Sequence, residues 1–346
     1  MPRLVYITYL PSFYKINLFN RLAEVQSLLV VFTHDYDIQR EADFYNGEKK
    51  FDYISVSQYS LIGKFAAIIK LLKREKQYKL VLAGWDQPLL WLLAYYSPKF
   101  KNSIAIESSV NESAISGFKG LLKKLFLRRV AKAYVSGESQ KELVNALGFR
   151  GQVIKTKGVG VFNIRPQPQF VAKDSVKYFI FVGRLSPEKN LKFLIQIFSH
   201  FPGLTLNIVG YGPQEALLKS IAGSNVVFHG AVPNSELYML YRQNDVFILP
   251  SLSEPWGLVV EEALNNGLPV IVSDKVGCVG EIVNDTNGIV FNLSESNSLD
   301  KSILKIQDID LFNTLRQNIS QLDFEEIAES QVNCYLNGNS KDSASD

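Results

Sequence analysis

Residues 246–264 read VFILPSLSEPWGLVVEEAL, and this stretch decides the fold. Four apolar residues are followed by a Pro-Ser turn and then by a segment whose apolar spacing is typical of a helix. A strand that passes through a short turn into a helix is the repeating unit of a parallel sheet. We expect the helix to begin near Gly257, with its free N–H groups directed toward the carboxyl end of the strand.

The same alternation of short apolar runs and longer amphipathic runs extends along the chain. The runs that predict strands are 4–7, 27–33, 79–83, 103–107 and 132–135 in the first half, and 177–182, 204–209, 226–229, 245–249 and 269–273 in the second half. Between the halves, residues 158–173 contain two glycines and two prolines and show no apolar periodicity, which indicates a linker. The sequence therefore predicts an α/β protein with two doubly wound parallel sheets in tandem.

Four segments follow from this pattern. Residues 1–165 are predicted to form the first Rossmann-like domain, and residues 166–324 the second. Residues 325–336 form an amphipathic helix that we expect to cross back to the first domain. Residues 337–346 are small and polar, and we expect this tail to be disordered.

Composition restricts the class of protein. A chain of 346 residues that is 47% apolar and 21% charged suits two globular domains of ordinary size. Its two cysteines, Cys278 and Cys334, form no disulfide framework, which favours a reducing compartment. No signal-peptide pattern follows Met1, and the longest apolar run, 89–96, is much shorter than the roughly 20 residues of a spanning helix. We therefore predict a cytoplasmic protein.

Charge is distributed unevenly between the two halves. Residues 1–165 carry 25 Lys and Arg against 13 Asp and Glu, whereas residues 166–346 carry 12 against 21. Two helical runs in the first half, 65–76 and 118–130, add basic faces. These features predict that the first domain docks peripherally on an anionic membrane surface, at the inner face of the cytoplasmic membrane. Nucleic acid is not expected as a partner, because no nucleic-acid-binding motif is present.

In the second half, residues suited to a phosphorylated ligand follow successive strands. Arg184 and Lys189 lie beside the start of a helix, where two cations suit a diphosphate. Glycines at 183, 210, 212 and 257 let the backbone approach an anion closely. Glu254 and Glu262 would repel phosphates, so we interpret them as acceptors for sugar or ribose hydroxyls.

Several charged residues nearby have simpler interpretations. Glu261 is interpreted as an exposed helix residue and Glu188 as a partner of the helix dipole. His229 is interpreted as a structural residue at the end of a strand. Of the three histidines, none is predicted to act in catalysis.

The order of these motifs carries a resemblance over residues 177–290. Gly183-Arg184-Leu185-x-x-Glu188-Lys189-Asn190, then Gly210-x-Gly212-Pro213, then Glu254-Pro255-Trp256-Gly257-Leu258 with Glu262, resembles the retaining GT-B glycosyltransferases of family 4. The seven residues between Glu254 and Glu262 are that family's signature spacing. The resemblance implies a GT-B fold, in which two Rossmann-like domains face a central cleft, and a nucleotide-sugar donor bound by the second domain.

The resemblance also implies a role for each matched residue. Arg184 and Lys189 would hold the donor diphosphate and neutralise it as it leaves, and with Glu254, which would contact the donor sugar, they form the catalytic set. The remaining donor-binding residues would be Gly183, Gly210, Val232 beside the base, Trp256 in the loop that selects the sugar, the backbone amides of Gly257, Leu258 and Val259, and Glu262 at the ribose. The family favours front-face attack, in which the leaving phosphate helps to take the acceptor proton. No metal, cofactor or protein nucleophile is then expected besides the nucleotide-sugar co-substrate.

The first domain departs from the family pattern. The glycine pair common after the first strand is replaced by the loop 10–14, and no histidine fits the family's place in the cleft. Glu107 occupies a comparable loop, and we predict Tyr14, Trp85 and Glu107 on the acceptor side. Asp35-Tyr36-Asp37 is similar to the metal motif of GT-A enzymes, but no GT-A pattern follows it, so we interpret it as a solvated loop.

The predicted activity is retaining transfer of a sugar from a nucleotide-diphosphate donor, with a UDP-sugar favoured and a GDP-sugar next. The acceptor class is a glycan or a lipid-linked saccharide, in bacterial surface polysaccharide or glycolipid assembly. A nucleotide-sugar epimerase or a sugar phosphorylase of the same fold remains an alternative. A non-catalytic sugar-nucleotide-binding protein is a third, although the intact set of Arg184, Lys189, Glu254 and Glu262 argues against it.

Overall fold

The computed structural model describes residues 2–37, 42–75, 77–110 and 112–337. The chain divides into two compact units, one comprising Met1–Phe162 with Glu325–Asp346 and the other Asn163–Phe324. We call them the N-terminal unit and the C-terminal unit. Lys76 of the basic run, and residues 338–346 of the predicted tail, lie outside the described residues.

The N-terminal unit contains a seven-stranded parallel sheet with the order β3-β2-β1-β4-β5-β6-β7. Its strands are β1 Arg3–Thr8, β2 Leu28–Phe32, β3 Asp52–Ser55, β4 Tyr78–Ala83, β5 Asn102–Ile106, β6 Lys132–Val135 and β7 Gln152–Lys155. The strand order reverses between β1 and β4, where Tyr6 pairs with Val30 on one side and Val81 on the other.

Helices cover both faces of this sheet. They are α1 Phe13–Val25, α2 Leu61–Arg74, α3 Pro88–Tyr96, α4 Gly117–Leu127, α5 Glu138–Ala146 and α12 Phe324–Asn337. Ile68, Leu93, Phe126 and Leu143 bring α2 to α5 into one apolar core. The last helix, α12, packs on this unit, since Tyr335 stacks on Tyr134 of β6 with ring centroids 4.5 Å apart.

The C-terminal unit has a six-stranded parallel sheet with the order β10-β9-β8-β11-β12-β13. The strands are β8 Tyr178–Val182, β9 Thr205–Val209, β10 Val226–Gly230, β11 Val246–Leu249, β12 Val270–Ser273 and β13 Gly288–Phe291. The helices are α6 Leu191–Phe198, α7 Glu215–Ile221, α8 Leu237–Gln243, α9 Leu258–Asn265, α10 Ser298–Ile306 and α11 Ile309–Ile319. Both units thus have the Rossmann-type strand order, which confirms the predicted fold class.

The central strands are continuous apolar runs because both faces of a parallel sheet are covered. All four residues of β11 are fully buried, as expected from the run at 246–249. Three strands were not predicted, namely β3, β7 and β13, and each lies at an edge of its sheet. Edge strands have less burial to satisfy, so their sequences carry a weaker apolar signal.

The interpretation of residues 158–173 as a linker is wrong for its first part. Residues 158–162 are buried in the N-terminal unit. The N–H of Val161 donates to the carbonyl of Tyr14 at 2.9 Å, and the side chain of Asn17 donates to the carbonyl of Val161 at 3.0 Å. Helix α1 therefore satisfies the backbone of a buried loop, which apolar periodicity does not reveal.

Within the described ranges, no helix is both long enough and apolar enough to cross a membrane.

Candidate functional site

In the C-terminal unit, the strand order reverses between β8 and β11. The loops that leave these two strands, 183–190 and 250–257, diverge at this point, which is where open α/β sheets bind ligands. The two loops are tied together, because the N–H of Leu252 donates to the carbonyl of Glu188 at 2.8 Å. The structure thus places the Arg184–Lys189 motif and the Glu254–Gly257 motif side by side.

Lys189 and Glu254, one from each loop, form an ion pair and a hydrogen bond. Their side chains are only 16% and 13% exposed. Lys189 ends a 3₁₀ turn over Pro187–Lys189, and this turn directs its ammonium group toward the second loop. The pair neutralises both charges in the absence of another ligand, and an entering anion would compete with Glu254 for Lys189.

Glu188, in the same loop, has a different hydrogen-bond partner. The hydroxyl of Ser186 donates to its carboxylate at 2.5 Å. Burial alone raises the pKa of Glu188, but this hydrogen bond and the charges of Lys189 and Arg184 lower it below its usual value. Arg184 itself lies half-buried in the same loop.

Helix α9 begins directly after Gly257, as the sequence predicts. Gly257 has a φ of 100°, a left-handed conformation that favours glycine. The N–H of Val260 donates to the carbonyl of Gly257 at 2.8 Å and closes the first turn. Leu258 and Val259 are the first residues of the helix, where N–H groups have no intrahelical acceptor and can bind an anion.

A third loop, at 275–278, supports the turn that carries Glu254. The N–H of Gly277 donates to the carbonyl of Glu254 at 2.9 Å, and the N–H of Cys278 donates to the carbonyl of Trp256 at 3.0 Å. The N–H of Glu254 donates in turn to the carbonyl of Lys275 at 3.2 Å. The backbone around Glu254 is therefore fixed from both sides.

The interpretation of Glu261 as an exposed residue is wrong. Glu261 is 4% exposed, and the indole N–H of Trp256, itself 2% exposed, donates to its carboxyl oxygen Oε1 at 2.5 Å. Burial raises the pKa of Glu261 to about 8, although the hydrogen bond from Trp256 lowers it. The ring of Trp256 lies in the interior, so any contribution of Trp256 to donor binding comes from its backbone or from positioning its neighbours.

Glu262 is half-buried on the same helix and has a partner that the sequence did not indicate. The phenol of Tyr241, in α8, donates to Glu262 Oε2 at 3.2 Å. Burial raises the pKa of Glu262 to about 7, whereas the hydrogen bond from Tyr241 lowers it. Tyr241 thus orients one carboxyl oxygen of a predicted ribose-binding residue.

The glycines at the ends of β8 and β9 are required for packing. Gly210 has a φ of 134°, and a Cβ atom at this position would lie 1.9 Å from the carbonyl oxygen of Gly183. The N–H of Leu185 also donates to the carbonyl of Tyr211 at 2.8 Å, so the loops after β8 and β9 pack directly against each other. Val232 lies half-buried in the loop after β10.

In the N-terminal unit, the predicted acceptor-side residues have different environments. Trp85 is buried in the apolar core behind the sheet, and Tyr14 is half-buried on α1. Glu107 follows β5, has a side chain that is 40% exposed, and forms an ion pair with the buried Lys15. Burial lowers the pKa of Lys15, but Glu107 and the phenols of Tyr335 and Tyr14 raise it by more, so this ammonium stays charged.

The remaining polar residues support the simpler interpretations. His229 is hydrogen-bonded through Nε2 to Asn207 Oδ1 at 2.8 Å, which agrees with a structural role. The hydroxyls of Ser55 and Ser57 donate to Asp35 and lower its pKa. Among the residues that the structure describes, no group of three His, Cys, Asp or Glu side chains could hold a metal ion.

The similarity in sequence to known proteins lies mainly in the C-terminal unit. Residues 164–321 match the family described as Glycosyl transferases group 1. The sulfoquinovosyl transferase SQD2 of Arabidopsis thaliana is 34% identical over 131 residues, which cover 38% of this chain and 26% of that protein. The alpha-monoglucosyldiacylglycerol synthase of Acholeplasma laidlawii is 32% identical over 149 residues, which cover 40% of this chain and 37% of that protein. The matched segments thus span only about a quarter to two-fifths of these relatives.

Solved structures resemble the whole chain in fold. The sucrose-phosphate synthase of Thermosynechococcus elongatus aligns with a TM-score of 0.72 at 18% identity, over 97% of this chain and 98% of that chain. Anabaena HepE in complex with UDP and glucose aligns with a TM-score of 0.71 at 15% identity, over 98% and 100%. Both support a GT-B architecture. Residues 164–321, which include the loops after β8 and β11, thus match the glycosyl transferases group 1 family, and the whole chain resembles GT-B glycosyltransferases in fold.

Proposed function

We propose that this protein transfers a sugar from a nucleotide-diphosphate donor to a saccharide acceptor with retention of anomeric configuration. The observation that carries the proposal is the Lys189–Glu254 pair, which lies beside the first turn of α9 at the strand reversal of the C-terminal unit. Cation, carboxylate and helix N-terminus are the three groups that a sugar diphosphate needs.

The ion pair suggests how the donor enters. The diphosphate attracts Lys189 and Arg184, and the first N–H groups of α9 bind the same phosphates. Because Lys189 then pairs with phosphate, the carboxylate of Glu254 becomes available for a hydroxyl of the donor sugar. Glu262, oriented by Tyr241, accepts from the ribose. The leaving phosphate takes the acceptor proton, so the proposed reaction uses no protein nucleophile, metal or cofactor.

A UDP-sugar is the favoured donor, and a GDP-sugar is the next candidate. HepE, which resembles this chain in fold, was solved with UDP-glucose as well as with UDP. A GDP-mannose-dependent alpha-mannosyltransferase of Mycobacterium tuberculosis is 38% identical over 115 residues.

The proposed acceptor is a glycan or a lipid-linked saccharide. One similar protein is named as an alpha-monoglucosyldiacylglycerol synthase, and another is the O-antigen chain mannosyltransferase B of Escherichia coli, 29% identical over 143 residues. In the N-terminal unit, we assign Glu107 to the acceptor side, because Lys15 holds its exposed carboxylate at the carboxyl end of β5.

Membrane docking is proposed for the N-terminal unit. Ile62 at the start of α2 and Phe118 at the start of α4 are 79% and 74% exposed, and Lys70 and Lys119 on the same helices are exposed as well. Large apolar side chains beside cations suit the interface of an anionic bilayer. Together with the basic excess of residues 1–165, this surface supports a peripheral location on the cytoplasmic face of the membrane.

Donor binding and transfer test the proposed activity. We expect calorimetry to detect binding of UDP or GDP. We also expect turnover of the matching nucleotide-sugar once a lipid-linked saccharide is supplied. Lys189→Ala should weaken diphosphate binding by about 10-fold or more, because a charge-assisted contact is lost. Lys192→Ala, at an exposed position on α6, is the matched control and should bind normally. Equal binding by both variants would refute the assignment of Lys189.

Catalysis is tested separately through Glu254. Glu254→Gln should retain UDP binding but lose most of the transfer rate, whereas Glu295→Gln, at an exposed position, should behave as wild type. Proton NMR of the product decides the anomeric outcome. An isomerised donor formed without acceptor would indicate the epimerase, and sugar phosphate formed from inorganic phosphate would indicate the phosphorylase. Binding without any turnover would leave a non-catalytic protein.

Sedimentation with vesicles tests the docking surface. The chain should bind phosphatidylglycerol vesicles at low salt and should bind phosphatidylcholine vesicles much more weakly. Phe118→Ser should weaken binding by about 30-fold, which corresponds to about 2 kcal/mol for burying one large apolar side chain. Leu304→Ser, at an exposed position of the C-terminal unit, is the control. Equal binding by the two variants would contradict insertion of Phe118.

A further inference from the structure

One buried contact of the C-terminal unit is not explained by the roles assigned above. The indole of Trp256 and the carboxyl of Glu261 meet in the interior, with Nε1 2.5 Å from Oε1. Trp256 precedes α9, whereas Glu261 lies on that helix, so the hydrogen bond spans the helix start. Gly257, with its left-handed φ of 100°, lies between them.

Each of these two groups depends on the other. The indole has a single donor and no acceptor, and burial prevents water from replacing Glu261 as its partner. A carboxyl group at 4% exposure is likewise costly without a hydrogen bond. Replacing both partners of a buried hydrogen bond by apolar groups of similar volume is often nearly neutral for stability, so we interpret this contact by the orientation that it gives.

The contact fixes the turn between Glu254 and the first residue of α9. The carbonyl of Trp256 accepts from the N–H of Cys278 at 3.0 Å, while its indole is held by Glu261. The backbone of Trp256 is thus held by the loop 275–278, and its side chain is held by α9. Glu254 lies two residues before Trp256, and the N–H groups that begin α9 lie directly after Gly257.

We propose that Glu261 is a positioning residue, which acts through the indole of Trp256 to set the angle between the Glu254 turn and the first N–H groups of α9. The ligand that depends on this angle is a nucleotide-sugar, because its phosphates must meet the N–H groups of α9 while its donor sugar meets Glu254. The inference rests on the proposed function and adds a residue that does not itself touch the donor.

Three variants separate positioning from packing. Glu261→Gln keeps an oxygen that accepts the indole hydrogen bond. The double variant Trp256→Phe with Glu261→Leu removes both polar groups, so neither is left buried without a partner. Phe198→Leu loosens the core at α6, where Phe198 is fully buried, and serves as the control for a general loss of packing.

The first measurement needs no ligand. Hydrogen–deuterium exchange should show faster amide exchange across residues 253–259 in the double variant, but wild-type protection there in Glu261→Gln and in Phe198→Leu. The second measurement is the Kd for UDP-glucose or GDP-mannose, whichever the wild type binds. We expect the double variant to bind about 10-fold more weakly, while Glu261→Gln stays within about threefold of wild type.

The outcomes are distinct. Unchanged exchange at 253–259 in the folded double variant would overturn the inference, and so would an unchanged Kd. An equal loss of affinity in Phe198→Leu would also overturn it, because general packing would then be sufficient. Failure of the wild type to bind any nucleoside diphosphate would instead refute the proposed function, and the exchange data would still decide whether Glu261 holds the turn.

Discussion

The protonation of Glu261 gives the C-terminal unit a stability that depends on pH in an unusual direction. In the folded unit, burial raises the pKa of this carboxyl to about 8. In an unfolded chain, the pKa of a glutamate is about 4.3. Between these values the folded unit holds a proton that the unfolded chain has released. Stability contributed by this group is therefore greatest at low pH and declines as the pH rises toward 8.

The size of the effect follows from the number of protons. One proton of difference changes the free energy of unfolding by about 1.4 kcal/mol per pH unit. From pH 5.5 to pH 7.0 the difference is close to one proton, so Glu261 should destabilise the unit by about 2 kcal/mol over that range. For a unit of this size, that corresponds to a fall in Tm of about 4 to 8 °C.

Glu261→Gln removes this proton and should flatten the pH dependence. Differential scanning calorimetry at pH 5.5, 6.25 and 7.0 measures it, and the transition that shifts when a nucleoside diphosphate is added identifies the C-terminal unit. The residual slope in the variant would come from other groups, among them Glu262, whose pKa burial raises to about 7. Glu295→Gln, at an exposed glutamate, should keep the wild-type slope. An unchanged slope in Glu261→Gln would refute the protonated state of Glu261.

Further outcomes follow from other contacts. Gly210→Ala should destabilise the C-terminal unit by about 3 kcal/mol or more in thermal unfolding, because its Cβ would lie 1.9 Å from the carbonyl oxygen of Gly183. Gly203→Ala is the control and should be tolerated, because the space around its Cβ is open. Glu107→Gln should destabilise the N-terminal unit by about 1 to 2 kcal/mol, because it removes the charge that pairs with the buried ammonium of Lys15, while solvent screens the 40% exposed Glu107. Lys15→Met should cost less, and equal urea midpoints for the two variants would contradict this expectation. Tyr241→Phe should raise the pKa of Glu262 above about 7, because the hydrogen bond from Tyr241 lowers that pKa in the wild type. An unchanged titration of the Glu262 carboxyl by ¹³C NMR would exclude the contact.

The fold could be predicted from the sequence because the covered strands of a parallel sheet are apolar throughout. Such runs stand out at 246–249 and 179–182, where the structure has central strands. At three of the four sheet edges, those of β3, β7 and β13, the signal fails. Strand β3 reads Asp-Tyr-Ile-Ser and has no fully buried residue, so its composition resembles that of a loop.

Much of the candidate site could be predicted for a similar reason. Strand ends in a parallel sheet meet at one edge, so Lys189 and Glu254 were expected near one another although 65 residues separate them. Their direct pairing could not be predicted, because it depends on the adjacency of β8 and β11 and on the register of their loops. Tyr241 was missed because an aromatic residue in a short helix is most often part of the core.

Glu261 shows where helical periodicity fails. Helix α9 has eight residues, and its core positions Val260, Ala263 and Leu264 leave position 261 on a flank that periodicity assigns to solvent. The flank is instead covered by the loop that contains Cys278, whose thiol pKa is raised by burial and by Glu261. The partner that makes this burial tolerable, Trp256, precedes the helix and lies outside the i, i+4 relation by which helical pairs are recognised.

In both units, a lysine forms an ion pair with the glutamate of the candidate site. Glu254 follows β11 and is held by Lys189, and Glu107 follows β5 and is held by Lys15. In each pair the carboxylate keeps its hydrogen-bond acceptors, while the ion pair as a whole carries no net charge. Lys189 can be withdrawn by a phosphate because it is partly exposed, but Lys15 is buried and cannot be. Under the proposed function, donor binding would release Glu254, whereas Glu107 would stay paired with Lys15, as expected of a group proposed to hold an acceptor.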